Sequence, residues 1–255
     1  MNTFERRNLI IKLLKENGTV LVSDLSQQFD ISEVSIRTDL RLLEKQGLLI
    51  RFHGGAGLLN TPQSEDTETK LEERYSLSQN PKNQIAYAAA KLIKEGNTII
   101  LDSGSTTMMI AHQLLKIKNI TVITNNLPAA TILSDSPDIT LVLCGGTVRH
   151  KTRSMHGTMA ENALQGIRAD IMFVGADGVD PHIGLTTFNE GYHISSVMAS
   201  VSSKVVAVVD STKFNRNGFN VVLPMNKLDL IITDRDLSPQ HKAALAGLNL
   251  SLKIA

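Results

Sequence analysis

Two rhythms of apolar residues divide the chain. Over the first fifty residues, hydrophobic positions recur at helical spacing. Leu9, Ile10, Leu13 and Leu14 form a stripe closed by Asn17-Gly18, which predicts a first helix. Ser23 is placed to N-cap a second helix, "DLSQQF", and Asp30-Ile31 makes a turn. Ser32 then caps a third, "EVSIRTDLRLLEKQ", which stops at Gly47. Beyond Gln84 the rhythm changes to short Val/Ile/Leu runs: "NTIILD", "ITVITN", "ITLVLCGG", "DIMFVGAD", "KVVAVVDS", "NVVLP" and "LDLIITD". Helical stretches are expected at Thr106–Lys116, Leu127–Ser134, Met155–Gly166 and Glu190–Ser203. Near-continuous apolar runs suit strands buried on both faces. Their alternation with helices predicts an open, mainly parallel α/β sheet, with ligands outside the carboxyl ends of its strands. Residues 58–83 between the two texts are polar, carry Pro62 and Pro81, and hold at most one short helix around Lys70–Tyr75. The expected organisation is a helical head (1–57), a linker (58–79) and an α/β domain (80–255).

Composition narrows the classes. The chain has 255 residues, 42% hydrophobic and 20% charged, the proportions of an ordinary soluble globular protein. Cys144 is the single cysteine, so no disulfide forms within the chain, which suits a reducing cytosol. The N-terminal "MNTFERRNLIIKLLKENG" lacks a signal peptide's apolar core. No apolar run approaches the roughly 20 residues of a membrane helix, so a cytoplasmic protein without a membrane partner is expected. A net charge of +1 neither implies nor excludes nucleic acid. Through Gly57 there are eight Lys/Arg against seven Asp/Glu, so their placement matters more than their sum.

That placement points to the third helix. Ile36, Leu40 and Leu43 stack at i, i+4, i+7 as a stripe to bury. The opposite face then carries Val34, Thr38, Arg41 and Lys45, with Ser35 and Arg37 at its edges and Ser32 at the start of the helix. Glu33, Asp39 and Glu44 are expected towards the buried stripe. A helix in a DNA major groove needs such a set: Arg for guanine edges, hydroxyls for phosphate or base edges, a small apolar group for a thymine methyl. The following "LLIRFHGGAG" suits a β-wing that brings Arg51 and His53 towards the DNA backbone. The same pattern also describes a three-helix docking module with solvated charges.

The stretch "ERRNLIIKLLKENGTVLVSDLSQQFDISEVSIRTDLRLLEKQGLLIRFHGGA" resembles the head of the DeoR family of bacterial sugar-metabolism repressors. The family pattern runs approximately "ER...I...L...G.V.V.DLA..F.VS..TIRRDL..LE..G.L.R.HGGA". Ser35 replaces its usual Thr and Thr38 its second Arg. Both departures fall on the reading face and bear on which operator is read. The resemblance extends over nearly the whole chain, through "LDSGSTTM", "CGGTVRHKTRSMHG" and "TKFNRNGFN". It implies a winged helix-turn-helix head binding double-stranded operator DNA, a sensor for a phosphorylated sugar or hexitol, and a homo-oligomeric repressor. Within the family it points to galactitol use.

The segment "IILDSGSTTMMI" (99–110) admits three readings: a nucleophile, an anion cradle, or a helix cap. Asp102 to Thr106 fall in a strand–helix turn, where free amides and the helix dipole favour an anion. Gly104 allows close backbone approach, and Ser103, Ser105, Thr106 and Thr107 add hydroxyl donors. No "GK[ST]" follows, so this is not a nucleotide P-loop, and no "GxSxG" elbow supports a nucleophile. The seven histidines show no metal-ligand spacing, so neither metal nor cofactor is expected. Further strand ends supply Asn125, Gly145, Gly146, Arg149, Asp177 and Lys213 as candidate contacts for a sugar phosphate, with Lys151 and Arg153 close to Arg149.

This half is similar to ribose-5-phosphate isomerases, which makes a sugar-phosphate enzyme the alternative function. The isomerase strand end "DGADE" corresponds to "VGADG" here, with Val174 and Gly178 at the outer acid positions and Asp177 retained. Their glycine-rich loop lysine has no counterpart in "GVDPHIGLTTFNEG", although Glu190 could match their base. Binding apparatus without a full set of proton-transfer groups favours a sensor.

Overall fold

The computed structural model describes every residue except 1–2, 18, 46–47, 53–54, 58–70, 72–73, 75–76, 189–192, 217 and 249. The chain separates into two compact units, Met1–Glu65 and Asp66–Ala255. In the first, helices α1 (Thr3–Asn17), α2 (Val22–Phe29) and α3 (Glu33–Lys45) combine with strands β1 (Thr19–Leu21), β2 (Ile50–Phe52) and β3 (Gly55–Gly57). The strands pair antiparallel in the order β1-β3-β2, completing a winged helix-turn-helix. Ile36, Leu40 and Leu43 of α3 are buried with Ile10, Leu14 and Leu25, as their spacing predicts.

Ser32 caps α3, its hydroxyl oxygen accepting from the Ser35 amide at 3.3 Å. Ser23 does not cap α2. That helix begins at Val22, and the Ser23 hydroxyl inside its first turn donates to Asp24 instead (3.0 Å). Asp30 ends α2 in the left-handed region (φ 53°), which a short polar side chain tolerates. Gly18 and Gly47, the expected stops of α1 and α3, lie outside the described residues.

Asp39 faces inward and accepts from Arg6 Nε (2.6 Å) and Arg7 Nε (2.8 Å), tying α1 to α3. Glu33 does not face inward. It begins α3 beyond the end of the core, and its half-exposed carboxylate pairs with Arg37 at 2.9 Å.

The second unit is built on seven parallel strands: β4 (Thr98–Leu101), β5 (Ile120–Thr124), β6 (Ile139–Leu143), β9 (Ile171–Val174), β12 (Val205–Val208), β14 (Leu230–Thr233) and β15 (Ser251–Ile254). Their spatial order is β15-β14-β12-β9-β4-β5-β6. Ile99, Leu101, Val206 and Val208 pack on one face with helices α4 (Gln79–Ala90), α5 (Ser105–Leu114) and α6 (Leu127–Leu133). Ile100, Val205 and Ala207 pack on the other with α7 (Thr158–Asn162), α8 (Ile194–Ser200) and α9 (Pro239–Ala246). The chain runs outward from β4 through β5 to β6, then returns to β9 on the opposite side of β4. The reversal between β4 and β9 opens a crevice at their carboxyl ends, where open α/β sheets bind ligands.

Four elements differ from expectation. "NVVLP" forms β13 (Asn220–Pro224), which joins β10 (Gly178–Asp180) and β11 (Gly184–Thr187) in a separate antiparallel sheet. A hairpin of β7 (Thr147–Arg149) and β8 (Ser154–His156) takes the start of the expected helix Met155–Gly166, so α7 begins only at Thr158. Strand β15 closes one sheet edge at a segment too mixed in polarity to predict. Helix α4 begins at Gln79, inside the expected linker, with Pro81 in its first turn, where no amide hydrogen is required.

Candidate functional site

On α3, Val34 is 74% exposed, and Arg37, Thr38 and Arg41 also face outward. Thr38 donates its hydroxyl to the Val34 carbonyl (2.9 Å), leaving its oxygen lone pairs outward. The Ser35 hydroxyl lies 3.1 Å from that of Ser32. The side chain of Lys45 is not described. Arg51 on the wing is exposed and donates from Nε to Glu44 at 2.8 Å, so Glu44 orients a cation rather than lining the core. His53 lies outside the described residues.

In the second unit, the turn after β4 is tightly wired. Asp102 is buried, with Oδ1 accepting from the Ser103 amide and Oδ2 from the Ser195 hydroxyl, each at 2.6 Å. Burial pushes the Asp102 carboxyl above its ordinary range, against the pull of these two donors. Gly104 has φ 154° and its carbonyl accepts from Thr107 Oγ1 (3.0 Å), the Met108 amide (3.1 Å) and Asn126 Nδ2 (3.2 Å). The expected hydroxyl cap of α5 is not formed. Gly104 occupies the cap position with no side-chain hydrogen bond, leaving first-turn amides uncapped beside Ser105, Thr106 and Thr107.

Asn125 is buried after β5. Its Nδ2 donates to the Met155 carbonyl at 3.1 Å, while Oδ1 has no hydrogen-bond partner among the described residues. Gly146 must be glycine: at φ 143° an added Cβ would stand 2.5 Å from the His156 carbonyl oxygen. Gly145 is exposed, Arg149 and Lys151 are half-buried on the β7–β8 hairpin, and Arg153 is exposed. His156 Nε2 lies 2.7 Å from the Ser154 hydroxyl, and burial with nearby Arg149 pushes its pKa down to about 4.

Across the crevice, Asp177 sits three residues past β9. Its Oδ2 accepts from the Thr187 hydroxyl (2.7 Å) and the Phe188 amide (3.3 Å), and its Oδ1 lies 3.4 Å from Arg74 Nη1. Burial raises its pKa, but Arg74, Thr187, Lys213 and the Phe188 amide outweigh that and hold it below the usual carboxylate range. Lys213 follows β12. Burial and the charge of Arg74 push its pKa down to about 8, against the opposite pull of Asp210 and Asp177. Lys82 on α4 is buried and likewise lowered to about 8, chiefly by desolvation. Arg216 lies over the Phe188 ring, 5.4 Å from its centroid.

Lys213 thus lies within electrostatic reach of Arg74, Lys82 and Arg216 and of two carboxylates, Asp177 and Asp210. Arg74, Lys82 and Arg216 were not among the expected site residues. Each is a lone cation in a polar stretch, and only the fold brings them together. Glu190 lies outside the described residues. Because β4 and β9 are neighbours, about 4.8 Å apart, the Asp102–Thr107 turn and the Asp177 loop flank one crevice.

The sequence profile of the DeoR-like helix-turn-helix domain matches residues 6–62, and that of the DeoR C terminal sensor domain matches residues 78–235. The chain belongs to the DeoR family. It is 36% identical over 256 residues to the HTH-type transcriptional regulator GolR of Listeria innocua, covering 100% of both chains. It is 38% identical over 244 residues to the lactose phosphotransferase system repressor of Lactococcus lactis, covering 94% of each. Among solved structures, ribose 5-phosphate isomerase from Methanocaldococcus jannaschii aligns at a TM-score of 0.40 with 23% identity, over 53% of this chain and 54% of that one. Membership of the DeoR family makes the chain a helix-turn-helix transcriptional regulator with a sensor domain.

Proposed function

We propose that this regulator represses a sugar or sugar-alcohol utilisation operon, galactitol being the favoured substrate, and that a phosphorylated sugar or hexitol relieves the repression. Residues 1–57 bind operator DNA and residues 80–255 bind the effector. The observation that carries the sensor reading is the cluster of cations, Lys82 buried and Arg74, Lys213 and Arg216 half-buried, at the carboxyl ends of the strands that also carry an uncapped helix start. A phosphate dianion balances that charge and accepts charge-assisted hydrogen bonds from both sides. Asp102, Ser103, Gly104, Ser105, Thr106, Thr107, Asn125, Gly145, Gly146 and Arg149 form one wall of the proposed site. Asp177 and Lys213 stand on the other, and Glu190, which lies outside the described residues, is proposed as a further effector contact. Exposed Arg37, Thr38 and Arg41 with apolar Val34 support groove reading by α3, and Arg51 supports contact from the wing.

A single head of this size covers little DNA, so paired heads on a homo-oligomer are proposed to read repeated half-sites in the cytoplasm. The isomerase reading is disfavoured by Gly178: an added Cβ there would lie 2.0 Å from the Arg216 carbonyl oxygen, so no acid fits. Val174, at the other outer acid position, is a buried strand residue. Asp177 alone, with both oxygens engaged, is poorly placed to move substrate protons.

A thermal-shift panel tests the reading. Galactitol 1-phosphate, tagatose 6-phosphate or a related phosphate raises the unfolding temperature by several degrees, as ligand linkage requires, while unphosphorylated galactitol does not. A panel in which no sugar phosphate shifts the transition contradicts it.

A further inference from the structure

Three carboxylates lie on α3, and two of them are committed to the head itself. Asp39 is buried and accepts from Arg6 and Arg7, while Glu44 accepts from the backbone amide and Nε of Arg51 on the wing. Glu33 is the exception. It is the first residue of the helix, its side chain is 49% exposed, and Arg37 Nη2 donates to its Oε2 at 2.9 Å across one helical turn. That single bond leaves Oε1 of the carboxylate, and Nε and Nη1 of the guanidinium, without a partner among the described residues.

The helix has little need of this pair. Ser32 already caps it, and an exposed i,i+4 ion pair adds little to its stability. An acid here carries a cost, because DNA is a polyanion and the N-terminal end of a reading helix is the end that meets base edges. It gains there only from a donor, and in the major groove the donors are the amino groups of cytosine (N4) and adenine (N6). Its neighbour decides between them. The fork of an arginine suits the O6 and N7 acceptors of guanine, and in a G·C pair guanine O6 lies beside cytosine N4. Arg37 and Glu33 present a donor and an acceptor side by side in the same way.

We propose that Glu33 is a specificity-determining residue of the operator interface, reading the N4 amino group of a cytosine whose paired guanine is read by Arg37. The ion pair holds both side chains in place before DNA is met, so less side-chain freedom is lost on binding. Glu33 also selects against other bases. Opposite thymine O4, or guanine O6 and N7, its carboxylate meets only acceptors. It therefore adds discrimination to the reading face rather than affinity.

This inference rests on the groove reading by α3 proposed above, and the test separates the two. Full-length wild type, Glu33→Ala, Glu33→Gln and Arg41→Ala are each used to select duplexes from a library of random sequence at fixed salt. The wild type is expected to select a sequence in which one C·G pair loses its preference in Glu33→Ala, with the other positions unchanged. Glu33→Gln shifts the preference at that pair from cytosine to adenine, whose N6 and N7 suit an amide. Anisotropy then compares the selected duplex with one whose cytosine at that pair is replaced by an analogue lacking the N4 amino group. Loss of N4 costs the wild type about five- to hundredfold in affinity, and Glu33→Ala less than about twofold. A carboxylate that only supported the helix would weaken every duplex alike. An unchanged selection profile in Glu33→Ala, or an equal cost of the analogue in both proteins, overturns the inference alone. Should Glu33→Ala fail to fold, a wild-type profile in Glu33→Gln overturns it equally. A wild type that selects no sequence, or the same sequence as Arg41→Ala, overturns the groove reading and the inference with it.

Discussion

Lys82 is buried and Lys213 half-buried where desolvation works against their own charge, and each is lowered to about 8. At neutral pH both are mostly protonated and available to an anion. Above about pH 8 they lose that charge, whereas a phosphate monoester gains its second negative charge near pH 6. Effector affinity is therefore expected to be greatest between about pH 6 and 8. It should be about tenfold or more weaker at pH 9 than at pH 7, with protons taken up on binding near pH 8.5. Calorimetry in buffers of differing ionisation enthalpy measures both quantities, and equal affinity at pH 7 and 9 contradicts the assignment. At this scale Lys213 was legible because it follows a strand end that points to the ligand edge. Arg74 and Lys82 were not: their stretch reads as solvated linker, and their convergence depends on contacts distant in sequence. Glu33 misled for a related reason, since helical phase describes a face but not where along the helix the core stops.

Among the elements, α3 carries the clearest prediction. Its inward stripe is fully engaged with the head core, and Arg41 faces outward. Arg41→Ala is expected to weaken operator binding by about 1–3 kcal/mol, the range for a base-reading arginine, while the fold and effector affinity stay unchanged. Anisotropy with operator DNA at stated salt reads this, and unchanged affinity for every operator tested would mean that α3 presents a different face. The buried strands were legible because a strand covered on both sides must be apolar throughout. Where that condition fails, prediction failed as well. Strand β15 is mixed in polarity, β13 belongs to a small outer sheet, and the short hairpin at Met155 resembles the start of a helix. Helix α4 was hidden by Pro81, a breaker inside a helix but harmless in the first turn.

For the whole molecule, the account is one of linkage. A site that binds an anion without turning it over can act on DNA only through a difference in effector affinity between operator-bound and free states. The coupling is reciprocal: whatever factor the effector takes from operator affinity, the operator takes from effector affinity. The proposed homo-oligomer belongs to the same account, because paired heads would lose operator affinity steeply once their spacing no longer matched the half-sites. The most direct measurement is operator affinity by fluorescence anisotropy, at fixed salt, as galactitol 1-phosphate or tagatose 6-phosphate is titrated over the range in which calorimetry shows it saturating the sensor. The account predicts that operator affinity falls about tenfold or more, a typical allosteric coupling, with its midpoint at the calorimetric dissociation constant. Saturation of the sensor with operator affinity unchanged would contradict it.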